Sequence, residues 1–206
     1  MHRKVLIACL GLTGAANANV IVNGDFEAMP NWNAGIAGDG SYTLLTGGAI
    51  PGWTVAANHG ATIHNTGAYP FISGNYSLNT DGEGWNGHNV DIFQDFASVN
   101  GQAYALTFDW KNWYFDSTPR LDVSVVDTVT SVVLAHGNYG QLAGTHSELF
   151  TFTGSGNALR LRVMHSPEST YNDNAFIVDN FAVELVPAPG AASLLGAAVL
   201  ARRRRR

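Results

Sequence analysis

From residue 103 onward the sequence alternates apolar and polar residues in short runs. Leu106, Phe108 and Trp110 share one side of the run 105–113, and Asp109, Lys111 and Trp113 share the other. Two later runs repeat the arrangement. Leu121, Val123 and Val125 oppose Arg120, Asp122 and Ser124, while Leu159, Leu161 and Val163 oppose Arg160 and Arg162. A period of two bounded by turn residues marks a half-buried strand. Strands are predicted at 20–22, 76–79, 90–96, 104–110, 120–126, 131–136, 148–153, 158–165 and 176–185. Before about residue 101 the chain is rich in Gly, Asn and Ser with only short apolar pieces, and no stretch carries a convincing helical period. Many short strands with glycine-rich connections predict an all-β fold, a sandwich or jelly roll.

Both ends break this pattern. His2, Arg3 and Lys4 form a basic start, 5–16 an apolar run, and Ala16-Asn17-Ala18 a small-x-small site, so 1–18 reads as a signal peptide and Asn19 as the first mature residue. Leu6-Ile7-Ala8-Cys9 also fits a lipoprotein box by its letters, but too few apolar residues precede Cys9 for a full apolar region. At the other end Pro187-Ala188-Pro189 precedes a small apolar run, 190–201, and five arginines, Arg202 to Arg206. A helix through 190–201 would be about 18 Å long, well short of the roughly 30 Å hydrocarbon core of a bilayer, with its arginines held in the cytoplasm. This order, carried by Pro187, Pro189, Arg202 and Arg203, resembles the PEP-CTERM sorting signals of Gram-negative bacteria, with Ala188 where that family usually has glutamate. The resemblance implies an exosortase-type processing enzyme, transient inner-membrane association of the tail 187–206, and delivery to the cell envelope, outer surface or extracellular matrix.

Removing leader and tail changes the charge balance. The body, 19–186, keeps four basic residues, Lys111, Arg120, Arg160 and Arg162, against all sixteen acids, a net charge of −12. Nucleic acid and anionic membrane are thereby excluded as partners of the body, since both need a basic surface. Cys9 is the only cysteine, so the mature chain has no disulfide and is held by its core or by metal.

If the alternating strands are neighbours, their polar faces build one surface of mixed charge with aromatics at its edge. Asp109, Lys111, Arg120, Trp113, Tyr114 and Trp85 are then candidates to bind a polysaccharide or glycan, with hydroxyls on the charged groups and a pyranose face on a ring. The alternative is a salt-bridged solvent face with aromatics packed under loops. Trp110 and Trp53 read as core.

Six short motifs stand in order: Asn23-Gly24-Asp25-Phe26-Glu27, Ile50-Pro51-Gly52-Trp53, Ser77-Leu78-Asn79-Thr80, Ile92-Phe93-Gln94-Asp95-Phe96, Tyr104-Ala105-Leu106-Thr107-Phe108-Asp109 and Ile177-Val178-Asp179-Asn180. The series resembles choice-of-anchor and plant cell-wall relatives of the galactose-binding-like jelly roll. That resemblance implies a jelly-roll sandwich over 19–186 and a structural calcium ion joining the first and last strands, with Glu27 and Asp179 as ligands and Asp25 less securely placed. Asp81, Glu83 and Asp91 form a poorer second calcium candidate.

Catalytic chemistry has little support. HExxH, GxSxG and P-loop motifs are absent, and the mature chain has no nucleophilic cysteine. His59 with His64, and His88 with Asp91, lack the spacing of a zinc site. Two carboxylates on one face, such as Asp109 and Asp122, could in principle form a glycosidase pair, but Lys111 and Arg120 nearby favour keeping both ionised. The expectation is an exported, non-catalytic domain that binds carbohydrate. The alternative is a structural matrix or envelope protein with no specific saccharide site, and a remoter one is a glycan-active hydrolase.

Overall fold

Alternation by two turns into a sandwich when each strand buries one side. The computed structural model describes residues 19–29, 42–45 (backbone only), 50–57, 59–65, 72–80, 90–113, 120–140, 142–165 and 176–187. Among these lie eleven strands: β1 (Tyr42–Leu45), β2 (Thr54–Val55), β3 (Ala61–Asn65), β4 (Tyr76–Asn79), β5 (Asp91–Ala97), β6 (Ala103–Asn112), β7 (Leu121–Asp127), β8 (Val133–Tyr139), β9 (Thr145–Thr153), β10 (Ala158–His165) and β11 (Phe176–Leu185). They form a six-stranded sheet in the order β1-β3-β4-β11-β6-β9 and a five-stranded sheet in the order β2-β5-β10-β7-β8. Every pairing is antiparallel. The fold is an all-β jelly-roll sandwich.

The expected inward residues do face the core. Leu106, Phe108 and Trp110 on β6, Leu121, Val123 and Val125 on β7, and Leu159, Leu161 and Val163 on β10 are all buried between the sheets. Strands 76–79, 158–165 and 176–185 coincide with β4, β10 and β11, and the other later strands fall within a few residues of expectation. The segment 20–22 is not a strand. Its backbone is instead held by the β5 side chain Gln94, whose Oε1 accepts from Val22 N at 2.7 Å and whose Nε2 donates to Val22 O at 2.9 Å. An amide side chain here supplies both halves of a ladder pair, so a partner strand is unnecessary. The strands not expected were β1, β2 and β3. In β3, Ala61 to His64 are all buried, so no alternation exists to be read.

Two of the motifs meet in the core. Phe26 stacks on Trp53 at 5.6 Å, and Phe181 of β11 meets both rings edge-on at 6.3 and 5.6 Å. Phe181 then stacks on Phe108 at 5.1 Å. Gly24 lets the backbone approach closely enough for its carbonyl to accept from Phe181 N at 2.9 Å; a Cβ there would overlap the Phe181 carbonyl oxygen. Asn23 fixes the turn, accepting from Ala28 N and donating to Pro51 O.

Strand β11 carries a bulge between Asp179 and Ala182, with Asn180 at φ 57°. The extra residue resets the phase: Phe176 and Val178 face the core before it, Phe181 and Val183 after it. The chain is tied down at both ends of the body. Asn19 Oδ1 accepts from Val183 N at 2.9 Å, and Val186 N donates to Ala103 O at 2.9 Å.

Candidate functional site

The topology separates what the sequence placed together. Strand β6 belongs to the six-stranded sheet, whereas β7 and β10 belong to the five-stranded one. The polar face bearing Asp109, Lys111 and Trp113 therefore lies on the opposite outside of the sandwich from the face bearing Asp122, Arg160 and Arg162. The single mixed-charge surface expected from the sequence does not form. Nor do Asp109 and Asp122 make a carboxylate pair, because the core lies between them. Arg120 precedes β7 and packs its guanidinium beside Gly140, away from Asp109 and Lys111. Trp85 and Tyr114 lie outside the described residues, as do Asp81, Glu83 and His88, and the tail residues Pro189, Arg202 and Arg203. Pro187 is exposed just after β11.

The outer face of the five-stranded sheet is internally neutralised. Arg160 grips Asp95 with two hydrogen bonds of 2.7 and 2.9 Å and lies 3.7 Å above the Phe93 ring. Arg162 grips Asp91 at 2.8 and 2.6 Å, and His136 Nε2 meets Asp122 at 2.7 Å. The hydrogen bonds that Arg160 donates to Asp95 and Arg162 donates to Asp91 raise the pKa of both arginines. This is the salt-bridged face that the sequence offered as an alternative.

The six-stranded sheet presents a different outside. The ladder registers set two rows of side chains across it: His64, Ser77, Asp179, Asp109 and Ser147 in one, Thr62, Asn79, Ile177, Lys111 and Thr145 in the other. Most are polar, yet Thr62, His64, Ser77, Asn79 and Asp179 are all buried. Trp113 explains part of this. Its ring meets that of His64 at 4.5 Å, edge to face, although β3 and β6 stand three places apart in the sheet. The indole thus reaches across the face and is itself half-buried. His64 in turn lies 3.0 Å from Asn79 Nδ2.

Asp179 and Asp109 stand directly opposite each other on β11 and β6. Two carboxylates so placed repel unless bridged or neutralised. The bulge residue Asn180 does the bridging: its N–H donates to Asp179 Oδ1 and its Nδ2 to Asp109 Oδ2, both at 2.8 Å, and Ser147 Oγ donates to Asp109 Oδ1. Asp179 Oδ2 accepts from Ser77 Oγ at 2.9 Å, Ser73 Oγ at 3.1 Å and Ser73 N at 3.2 Å. Burial pushes the Asp179 carboxyl up to about 6, against the pull of these hydrogen bonds. Burial also lowers the pKa of Lys111.

Glu27 grips the same loop from the other side, accepting from Asn75 N at 2.6 Å, Asn75 Nδ2 at 2.8 Å and Tyr76 N at 3.0 Å. Burial works to raise its pKa, but these bonds outweigh it and hold the carboxyl below its usual range. Asp25 is exposed and accepts from Glu27 N. Among the described residues no three His, Cys, Asp or Glu side chains converge as metal ligands. The partners of Glu27 and Asp179 are N–H and O–H donors that clasp the loop 72–77. That donor set does not fit a calcium shell of six to eight oxygens.

Of the sequence candidates, the structure brings together Asp109, Lys111 and Trp113. It joins to them His64, Ser77, Asn79, Asn180 and Ser147, which periodicity missed. Ser77, Asn79 and Asn180 sit in the six motifs, so a signal existed; His64 drew notice only beside His59 as a zinc ligand, and Ser147 had no signal.

Residues 19–184 match a family described as "Protein of unknown function (DUF642)". The chain belongs to the DUF642 family. No curated protein matches it. Among solved structures, the DUF642 domain superposes on TmCBM61 in complex with β-1,4-galactotriose with a TM-score of 0.50 at 10% identity, covering 82% of this chain and 99% of that one. It superposes on an arabinose-bound MgGH51 α-L-arabinofuranosidase with a TM-score of 0.52 at 11% identity, covering 82% of this chain but 26% of the enzyme. The active domain of tailspike protein 4 of bacteriophage CBA120 gives 0.47 at 13% identity, over 82% of this chain and 21% of the tailspike. The DUF642 chain thus spans about a quarter or less of those two larger proteins, and all three likenesses are of fold.

Proposed function

We propose that this DUF642 protein is an exported, non-catalytic carbohydrate-binding protein. Its leader, 1–18, and PEP-CTERM-like tail, 187–206, serve export and exosortase-type sorting. The body is displayed on the envelope of a Gram-negative bacterium or released into its exopolysaccharide. The observation that carries the binding role is the outer face of the six-stranded sheet, where Trp113 lies against His64 on the face that also bears Asp109, Lys111 and Asn79. Aromatic surface beside hydrogen-bonding side chains is what a sugar requires, since a pyranose has an apolar face and a polar rim. The sugars in the two better-superposed structures, β-1,4-galactotriose and arabinose, support that reading through the shared fold. The net charge of −12 favours a neutral glycan over an anionic one.

The test is binding of the body, 19–186, to an array of bacterial and plant polysaccharides. Saturable binding to one sugar class is expected, with Trp113→Ala weakening it roughly tenfold, about 1.4 kcal/mol. A blank array from folded protein would leave a structural matrix protein as the better account.

A further inference from the structure

An open sheet has two edges, so the described strands leave four: β1 and β9 on the six-stranded sheet, β2 and β8 on the five-stranded one. An edge strand offers unpaired N–H and C=O groups to any chain that can pair with them, and proteins blunt it with shortness, a bulge, Pro or charge. Three of these edges are blunted. β1 has four residues and β2 two, while the β7–β8 ladder shifts register between Val125 and Val126. β9 is different. It has nine residues, pairs with β6 from Thr145 to Thr153 without a register shift, and contains no Pro, Gly, Lys or Arg.

The end of the ladder shows which way its backbone groups point. Gly154, just after β9, turns both of its polar groups to the segment that leads into β6: its N–H donates to Gln102 O at 2.8 Å and its carbonyl accepts from Gly101 N at 2.9 Å. Ala103, the ladder partner of Thr153, faces the other way, since its carbonyl accepts from Val186 N. Alternation then gives the even residues of β9 to β6 and leaves the N–H and C=O of Thr145, Ser147, Leu149, Thr151 and Thr153 at the open edge. Among the described residues no strand pairs with them. Their side chains form an exposed row without charge on the outer face, and Leu149 at its centre is 65% exposed. The row is close to self-complementary. An antiparallel second copy centred on Leu149 sets Leu149 against Leu149, Ser147 against Thr151 and Thr145 against Thr153. On the inner side Glu148 falls opposite Phe150 and His146 opposite Phe152, so the one acid of the strand never meets itself although each body carries a net charge of −12. An inward charge can itself guard an edge, but Glu148 is already engaged, accepting from Trp110 Nε1 at 3.0 Å.

We propose that the open edge of β9 is an interface for a second copy of this chain, paired antiparallel about a twofold axis at Leu149. Such an axis stands perpendicular to the sheet, so the two six-stranded sheets run on as one and their outer faces lie on the same side. The dimer stands without the saccharide reading; its consequence rests on it. Both Trp113 faces would meet one polymer, and the second contact would form at the high effective concentration set by the first.

Analytical ultracentrifugation of the full chain at about 100 μM, without sugar, reads the oligomer. The unaltered chain is expected to sediment as a dimer. Leu149→Lys sets two like charges directly opposite each other at the axis and should weaken the dimer roughly tenfold, as should Leu149→Glu; an equal mixture of the two variants should restore it. The side chain of Leu149 is mostly in water, so both variants keep the fold of the single body. A monomer in the unaltered chain overturns the interface. A dimer indifferent to both variants, such as one formed through the tail 187–206, overturns it too. Dimers broken by each variant but not restored by mixing show that Leu149 does not face itself and overturn the twofold pairing. Because no sugar is present, a blank polysaccharide array leaves the dimer standing, and a monomer leaves the Trp113 face standing.

Discussion

Asp179 sets two physical effects against each other, and a substitution can decide between them. Its side chain is fully buried, which favours the neutral acid, yet four N–H or O–H groups point at its two oxygens, which favours the anion. The balance leaves the carboxyl at about 6 in the folded protein, against 3.8 for an exposed aspartate. A folded pKa above the unfolded one means that the native state holds the proton more tightly. The resulting stability is fully present below the unfolded pKa and is lost as pH rises through the folded one. A shift of about two units corresponds to roughly 3 kcal/mol. Asp179→Asn mimics the protonated acid and abolishes this titration. Urea unfolding of both proteins at pH 4 and pH 7 isolates the effect, because other carboxylates cancel in the difference. The wild type should lose on the order of 2–3 kcal/mol relative to Asp179→Asn between those pH values. If the wild type instead gains on the variant as pH rises, the hydrogen bonds outweigh burial, and Asp179 is an anion held by its loop.

Other substitutions probe separate parts of the fold. Gly24→Ala should destabilise by at least about 2 kcal/mol in thermal or urea unfolding, because its Cβ meets a backbone carbonyl that cannot move without displacing Phe181. Arg162→Ala leaves the Asp91 side chain, only 6% exposed, with no ion-pair partner but the more distant His59 and should cost about 2–3 kcal/mol; Arg160→Ala leaves Asp95, 43% exposed, to water and should cost about 1 kcal/mol or less. Equal losses would mean that burial of Asp91 does not govern the pair. With N–H and O–H donors on Glu27 and Asp179, melting should be the same in calcium and in EDTA; a calcium-dependent rise abolished in Glu27→Gln would put a metal there after all.

The later strands were legible because β6, β7 and β10 each bury one side and expose charge on the other, so the period of two survives in the letters. Burial on both sides erased it in β3, and a two-residue strand such as β2 is too short to show one. The site was harder to read for a different reason. Alternation says which residues share a face of one strand, but not which sheet the strand joins, so Lys111 and Arg162 looked like neighbours and lie on opposite outsides. The buried polar rows were hidden as well. Ser77, Asn79 and Asp179 have the letters of solvent-facing residues, yet among the described residues Ser77 and Asp179 are joined beneath loop 72–77 and Asn79 meets the His64 that Trp113 lies against.

Strand β11 has a mechanical meaning beyond its place in the core. It runs about 34 Å between β4 and β6, from Phe176 at one pole to Leu185 near the point where the body ends, and Asn19 is fastened to it close by. A pull applied at Val186 against a load held near Phe176 acts along the strand axis. The ladder hydrogen bonds to β6 lie across that axis, so they are strained together in shear and are not opened one after another. A body pulled from that corner would resist the load with most of the β6–β11 ladder at once.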